Sequence, residues 1–186
     1  MKNTIYTLML ALTSNLLLAG PELVIGEERI EPGIVFIFEG AVKDHVMPMG
    51  MHLSENQTQV HIEARVNWDT QNIPEGTPEG GFVPYLHITS LITNQRTGMT
   101  TFIDLLPHIN LIDNFHYARN ISLPGKDTDF YTVDFFVIPP THIDLALHRD
   151  WLNLYGKQLM DKNSFSYKNV YFEEICGASR TIIKKK

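Results

Sequence analysis

Residues 60–66 alternate strictly between apolar and polar side chains. Val60, Ile62, Ala64 and Val66 share one face, and His61, Glu63 and Arg65 share the other. This period of two predicts a β-strand with one face turned to a core. An imidazole and a carboxylate two residues apart on one face are also half of a transition-metal site. The rest of the chain must then supply the other ligands.

Similar stretches rich in β-branched and aromatic residues recur along the chain, and turn-forming residues separate them. Residues 94–98 and 123–127 are typical of hairpin loops. Only residues 145–160 have a plausible helical pattern, and no helix is predicted there. The fold predicted is all-β, an immunoglobulin-like antiparallel β-sandwich of about seven or more strands. The predicted strands are 34–42, 59–68, 83–93, 99–109, 115–123, 130–138 and 164–173.

The first twenty residues carry one positive charge, an apolar run and small residues at their end. This order is typical of a secretory signal peptide, with an uncleaved anchor as the alternative. We therefore predict a signal peptide at residues 1–20, a metal-binding domain at residues 21–186, and export to the periplasm.

The chain has 186 residues and a formal net charge of −6, so nucleic acid is not an expected partner. Cys176 is the only cysteine, which excludes an internal disulfide. The domain must therefore be stabilised by its apolar core.

Several of the eight histidines fall where they could converge. His108 and His116 bracket a predicted turn, so they would end adjacent strands at one end of the sandwich. His148 follows a strand-ending Pro139-Pro140 pair and could fold back over that end. With His61 and Glu63 these form a candidate site suited to Cu(II), Zn(II) or Fe(II), the alternative being scattered surface histidines.

A second candidate for metal binding is the run Met47-Pro48-Met49-Gly50-Met51, which His45 and His52 flank. Thioethers bind soft ions such as Cu(I), but methionine more often fills gaps in a core. Both interpretations stay open on the sequence alone.

Four stretches of the chain resemble a known family, the periplasmic high-affinity iron-transport proteins, which are copper- and iron-binding partners of a ferrous iron permease. The treponemal lactoferrin-binding lipoprotein belongs to the same group. The stretches occur in family order between about residues 34 and 148. They are Val60–Ala64, Val83–Leu86 with Asn94 and Thr97-Gly98, Leu106–His108 with His116–Ile121, and Pro139-Pro140 with His148-Arg149.

This resemblance implies a homodimer with a metal site near its interface, which would take a copper or iron ion, with zinc or manganese as in vitro substitutes. His61, Glu63, His116 and His148 match the family's ligands. The family's remaining ligand is usually a methionine in a Met-Pro-Met stretch. His108 stands in its place, which hardens the site toward Cu(II), Zn(II) or Fe(II).

The expected function is a periplasmic metal-binding protein that presents iron to a membrane permease, rather than an enzyme. Oxidation of Fe(II) at a copper site is an open alternative. A blue-copper electron carrier is disfavoured, because Cys176 has no histidine close to it in sequence. A different class of function, a surface antigen or host-protein-binding module with a structural metal, also fits the sequence.

Overall fold

The structure is a computed structural model that describes residues 21–179. The predicted signal peptide at residues 1–20 lies outside these residues. The described chain forms eight strands, two short α-helices and one turn of 3₁₀-helix at Glu55–Gln57. The strands are β1 (Glu22–Ile30), β2 (Ile34–Ala41), β3 (Val60–Trp68), β4 (His87–Asn94), β5 (Thr100–Asn110), β6 (Asn114–Ile121), β7 (Phe130–Ile138) and β8 (Asn163–Tyr171). The helices are α1 (Arg149–Leu154) and α2 (Glu173–Gly177).

All strand pairs are antiparallel, in the order β1-β2-β3-β6-β5-β4-β7-β8. The long strand β5 changes partner along its length. Its residues 100–105 pair with β4, and its residues 106–110 pair with β6. This change divides the strands into two layers, one containing β1, β2, β3 and β6 and the other containing β4, β7 and β8. The prediction of an all-β sandwich is confirmed.

The core lies between the two layers and is built from the inward positions of alternating strands. Phe36 and Phe38 of β2 are fully buried, and the ring of Phe38 stacks on Phe135 of β7 with centroids 4.0 Å apart. Each buried aromatic side chain of this size contributes roughly 2–3 kcal/mol. Such stacking between layers fixes their relative position.

The two edge strands β1 and β8 approach each other closely. The hydroxyl of Tyr167 on β8 donates a hydrogen bond of 2.9 Å to Glu28 on β1. Gly26 allows this approach, because a Cβ at that position would lie 2.1 Å from the Tyr167 ring. The sandwich is therefore nearly closed along this side.

The sequence patterns missed β1 and misplaced the start of β4. β1 is partly exposed and its register shifts between Val24 and Gly26, so its apolar alternation is blurred. β4 begins at His87 rather than at Val83, because Tyr85 adopts a positive φ of 66° after Pro84. Within residues 21–179, neither helix has the length and apolar character needed to span a bilayer.

Candidate metal centre

The polar face of β3 is buried, although it points away from the core. His61 is 2% exposed and Glu63 is 1% exposed. The segment between β2 and β3, residues 42–59, which we call the covering loop, lies against this face beside Asn120 and His108. The side-chain amide of Asn120 on β6 donates hydrogen bonds of 2.9 Å to Asp44 and Leu53 of this loop. The covering loop is thereby fixed to the strand beside His61.

Two further histidines approach this face from the β5–β6 hairpin. His108 and His116 are directly paired across the two strands. Asn110 stabilises the turn between them, since its side-chain oxygen accepts hydrogen bonds from the backbone N–H groups of Ile112 and Asp113. Asparagine commonly stabilises turns in this way. Because the turn fixes the pairing of His108 with His116, the two imidazoles lie on the same side of the sheet.

His61, His108 and His116 form a compact group. One ring nitrogen from each lies within 4.8 Å of the others. The Oε1 atom of Glu63 lies 3.5 Å from Nε2 of His61 and 3.9 Å from Nε2 of His116. Three imidazoles and one carboxylate around a common point match the donor preferences of Cu(II), Zn(II) and Fe(II).

Hydrogen bonds on the far side of two rings set their tautomers. Nδ1 of His61 lies 2.6 Å from the side-chain oxygen of Asn120, and Nδ1 of His116 lies 3.1 Å from the carbonyl oxygen of Asn114. Both partners are acceptors, so each Nδ1 must carry the proton. In the neutral ring each Nε2 then carries the lone pair, on the side of Glu63, as metal-binding histidines require.

The third imidazole is kept neutral by its surroundings. Burial, followed by the neighbouring imidazoles of His61 and His52, lowers the pKa of His108 to about 3. Its Nε2 is solvent-inaccessible and has no hydrogen-bond partner among the described residues. A neutral ring with a buried nitrogen that lacks a partner is chemically ready to bind a cation, and the residues present therefore fit a transition metal.

An ion pair adjoins the group on the same face. Arg65 donates to Glu39 of β2 at 2.6 Å, and Glu39 is 1% exposed. Burial raises the pKa of Glu39, and the Arg65 guanidinium opposes this shift. The Arg65 charge thus compensates the buried carboxylate of Glu39.

His148 does not join the group within one chain. It is exposed and immediately precedes α1, whose Trp151 packs edge-on against Trp68 with centroids 6.3 Å apart. Trp68 ends β3, seven residues from His61, which corresponds to roughly 23 Å along a strand. The single chain therefore brings together four of the five predicted ligands.

Sequence reasoning missed two residues of this site. The ring of His52, in the covering loop, contacts His108 edge-on with centroids 4.9 Å apart. Asn120 orients His61 and holds the loop. His52 flanks the methionine run that is the second candidate for metal binding, but no periodic pattern predicts where a loop folds. Met47, Met49 and Met51 are themselves exposed, so they fill no core gap.

A family model described as "Fe2+ transport protein" matches residues 20–173. The chain belongs to this Fe2+ transport protein family. A UPF0423 protein of Brucella abortus (strain 2308) is 30% identical over 159 residues, covering 81% of this chain and 84% of the relative. The 34 kDa membrane antigen of Treponema pallidum (strain Nichols) is 29% identical over 132 residues, covering 69% of this chain and 63% of the antigen. The resemblance drawn from the sequence is thus confirmed.

Solved structures share the fold of this member of the Fe2+ transport protein family. The copper-reconstituted P19 protein of Campylobacter jejuni superposes with a TM-score of 0.69 at 23% identity, over 87% of this chain and 100% of that one. A copper-bound variant of FetP from uropathogenic Escherichia coli strain F11 gives a TM-score of 0.64 at 22% identity, over 81% of this chain and 99% of that one.

Proposed function

We propose that this chain is a periplasmic protein that binds a transition-metal ion, Fe(II) or Cu(II), and presents iron to a membrane permease during high-affinity iron uptake. One observation carries the proposal. His61, His108 and His116 place ligand nitrogens within 4.8 Å of one another, beside the Glu63 carboxylate. Family membership and the copper-bound state of the P19 and FetP structures support the same interpretation.

The donor set favours copper in vitro whatever the cargo in the cell. Affinity for a given set of nitrogen and oxygen ligands rises from Fe(II) to Cu(II) along the first row. Copper is therefore a suitable probe of the site, whereas the transported ion must be identified by uptake. Zinc and manganese serve as redox-inactive and weaker-binding probes, respectively.

The centre is tested by titrating metal-stripped protein with Cu(II) and with Fe(II) under anaerobic conditions. Wild type should bind one ion per chain, and His61→Ala or His116→Ala should reduce the affinity by at least about a hundredfold. His87→Ala is a matched control, because His87 is 59% exposed and pairs with Asp144 outside the site. Equal stoichiometry and affinity in all four proteins would remove the centre from consideration.

We further propose that His148 acts as a ligand across a homodimer. The tip of the β5–β6 hairpin, next to His108 and His116, exposes four apolar side chains, which suits contact with a second copy. They are Ile109 (64%), Leu111 (92%), Ile112 (43%) and Phe115 (48%). A site beside such an interface would receive a histidine that its own chain does not bring into the group of His61, His108 and His116.

Complementation between two variants tests this arrangement. In a heterodimer of His61→Ala and His148→Ala chains, one centre would regain all of its ligands, because each chain supplies what the other lacks. Mixing the two weakened variants should therefore restore tight binding to about half of the heterodimers' sites. No restoration, with dimers confirmed by sedimentation, would mean that His148 does not act in trans.

Delivery to a permease is tested by iron uptake in cells. Replacing the protein with His61→Ala should reduce high-affinity uptake to the level of a deletion, while permease abundance is unchanged. Normal uptake by this variant would separate metal binding from transport.

A host-protein-binding function is the second candidate, because the chain is similar to the 34 kDa membrane antigen of Treponema pallidum. Pull-down with a host iron-binding protein distinguishes the two functions. Capture that survives removal of the metal, and that His61→Ala does not weaken, would favour the host-binding module.

A further inference from the structure

The covering loop places a fourth imidazole, that of His52, beside the centre. The loop is held at two points by Asn120, through the carbonyl oxygens of Asp44 and Leu53. Leu53 directly follows His52, so this tether fixes the backbone beside the imidazole. The same Asn120 side chain also positions His61. One amide thus links the position of His52 to that of a ligand in the centre.

His52 lies against the centre with an unused nitrogen. Its ring meets His108 edge-on at 4.9 Å between centroids, and its Nδ1 is solvent-inaccessible with no hydrogen-bond partner among the described residues. Nε2 of His108 is in the same condition. A buried polar atom left without a partner destabilises the fold, so two of them in contacting rings need an explanation.

A bound cation provides that explanation, because it would accept both lone pairs at once. A purely structural contact would instead pair one nitrogen with a carbonyl or hydroxyl oxygen, as His61 and His116 do at Nδ1.

We propose that His52 is an additional ligand of the metal centre, supplied by the covering loop. It completes a set of four imidazoles from one chain, together with Glu63. The ring stands just outside the group formed by His61, His108 and His116, so coordination would require the His52 side chain to turn toward the ion while the tether holds its backbone. This inference rests on the proposed metal centre and adds a donor that favours Cu(II) over ions that prefer oxygen.

The test compares His52→Ala with His45→Ala in the full-length exported protein. His45 belongs to the same covering loop but is exposed, so it controls for changes in the loop itself. Each variant is loaded with one equivalent of Cu(II) and measured by competition titration and by pulsed electron paramagnetic resonance, which counts coordinated imidazoles.

His52→Ala should keep one copper per chain, lose about tenfold or more in affinity, and show one imidazole fewer than wild type. His45→Ala should match wild type in both measurements. Circular dichroism and thermal melting verify that each variant is folded, and His52→Gln, which keeps a polar side chain without an imidazole, should behave as His52→Ala does.

The outcomes separate this inference from the proposed centre. Wild-type affinity and imidazole count in His52→Ala would overturn the role of His52 while leaving the centre intact. A wild-type copper signal in His61→Ala would instead overturn the centre, and with it the role of His52.

Discussion

Asn94 and Asn120 are both buried asparagines at the centre of polar clusters, yet the two clusters are completed differently. Around Asn94, the protein supplies all of the partners. Its side chain donates to Asp129 at 2.8 Å and accepts from the backbone of Arg96 and Thr97, while Arg96 clamps the Asp129 carboxylate with two bonds of 2.7 Å. These bonds lower the pKa of Asp129.

Around Asn120, the protein supplies only the outer partners. The amide orients His61 and the covering loop, but one buried ring nitrogen of His52 and one of His108 have no hydrogen-bond partner among the described residues. A cluster whose polar groups are all paired stabilises the fold, whereas buried nitrogens without partners are suited to bind a ligand. The comparison therefore supports a structural role for the Asn94 cluster and the proposed metal centre beside Asn120.

The largest effect that separates the two clusters should be stabilisation by metal. Binding to the folded state alone adds about 4 kcal/mol when free metal exceeds the Kd a thousandfold. We expect thermal melting of wild type to shift upward with Cu(II) or Zn(II), and chelation to reverse the shift. His116→Ala should lose the shift, and Asp129→Asn should keep it from a lower starting temperature. A metal-induced shift of equal size in His116→Ala would contradict the assignment of the ligand cluster.

A smaller effect should distinguish the two asparagines themselves. Asn94→Ala and Asn120→Ala each leave buried groups without partners, so each should reduce the free energy of unfolding by about 2–3 kcal/mol. Urea denaturation of the metal-free proteins measures this loss. Only Asn120→Ala should also weaken Cu(II) binding, by about 10- to 100-fold, because it frees the His61 ring and the covering loop.

Wild-type copper affinity in both variants would contradict the comparison, since it would mean that Asn120 supports the fold alone. Weaker copper binding in Asn94→Ala would contradict it as well, because it would give the Asn94 cluster a role in metal binding. The pair is well matched, because Asn94 is 0% exposed and Asn120 is 3% exposed.

The sequence predicted the strands of this centre better than the segments that complete it. The alternation at residues 60–66 and the turn between His108 and His116 follow from side-chain periodicity and Asn chemistry, both of which are local. His52 lies on a loop whose position depends on hydrogen bonds to a strand more than sixty residues away. His148 could not be placed either, because the packing of Trp151 on Trp68, which carries it away, is a tertiary contact.

β1 was missed for a related reason. Its exposed Val24 and its bulge weaken the period of two, and its contact with Tyr167 of β8 is a tertiary contact that a local pattern does not show. The core strands, by contrast, bury one face throughout, and this burial appears in their sequence as a regular alternation of apolar and polar residues.

The smallest expected difference between the clusters is in acid sensitivity. The pKa of His108 is lowered to about 3, whereas an unfolded histidine titrates near 6.5. Between these values the unfolded chain binds a proton that folded His108 does not, so the stability of metal-free protein should fall as pH decreases from about 6.5 toward 3. The slope from this single group is at most about 1.4 kcal/mol per pH unit, and partial solvent exposure reduces it.

Asp129 should respond in a different window. Its carboxyl pKa is lowered by Arg96 and Asn94, so its contribution is complete above the unfolded value of about 3.9 and is lost only below it. Urea denaturation of wild type and His108→Met between pH 7 and 4 isolates the imidazole, because contributions common to both proteins, such as that of Glu39, cancel in the difference. His108→Met should be the less pH-dependent of the two. Parallel pH profiles would mean that His108 gains a proton in the folded state, and the imidazoles would then not be held neutral for a cation.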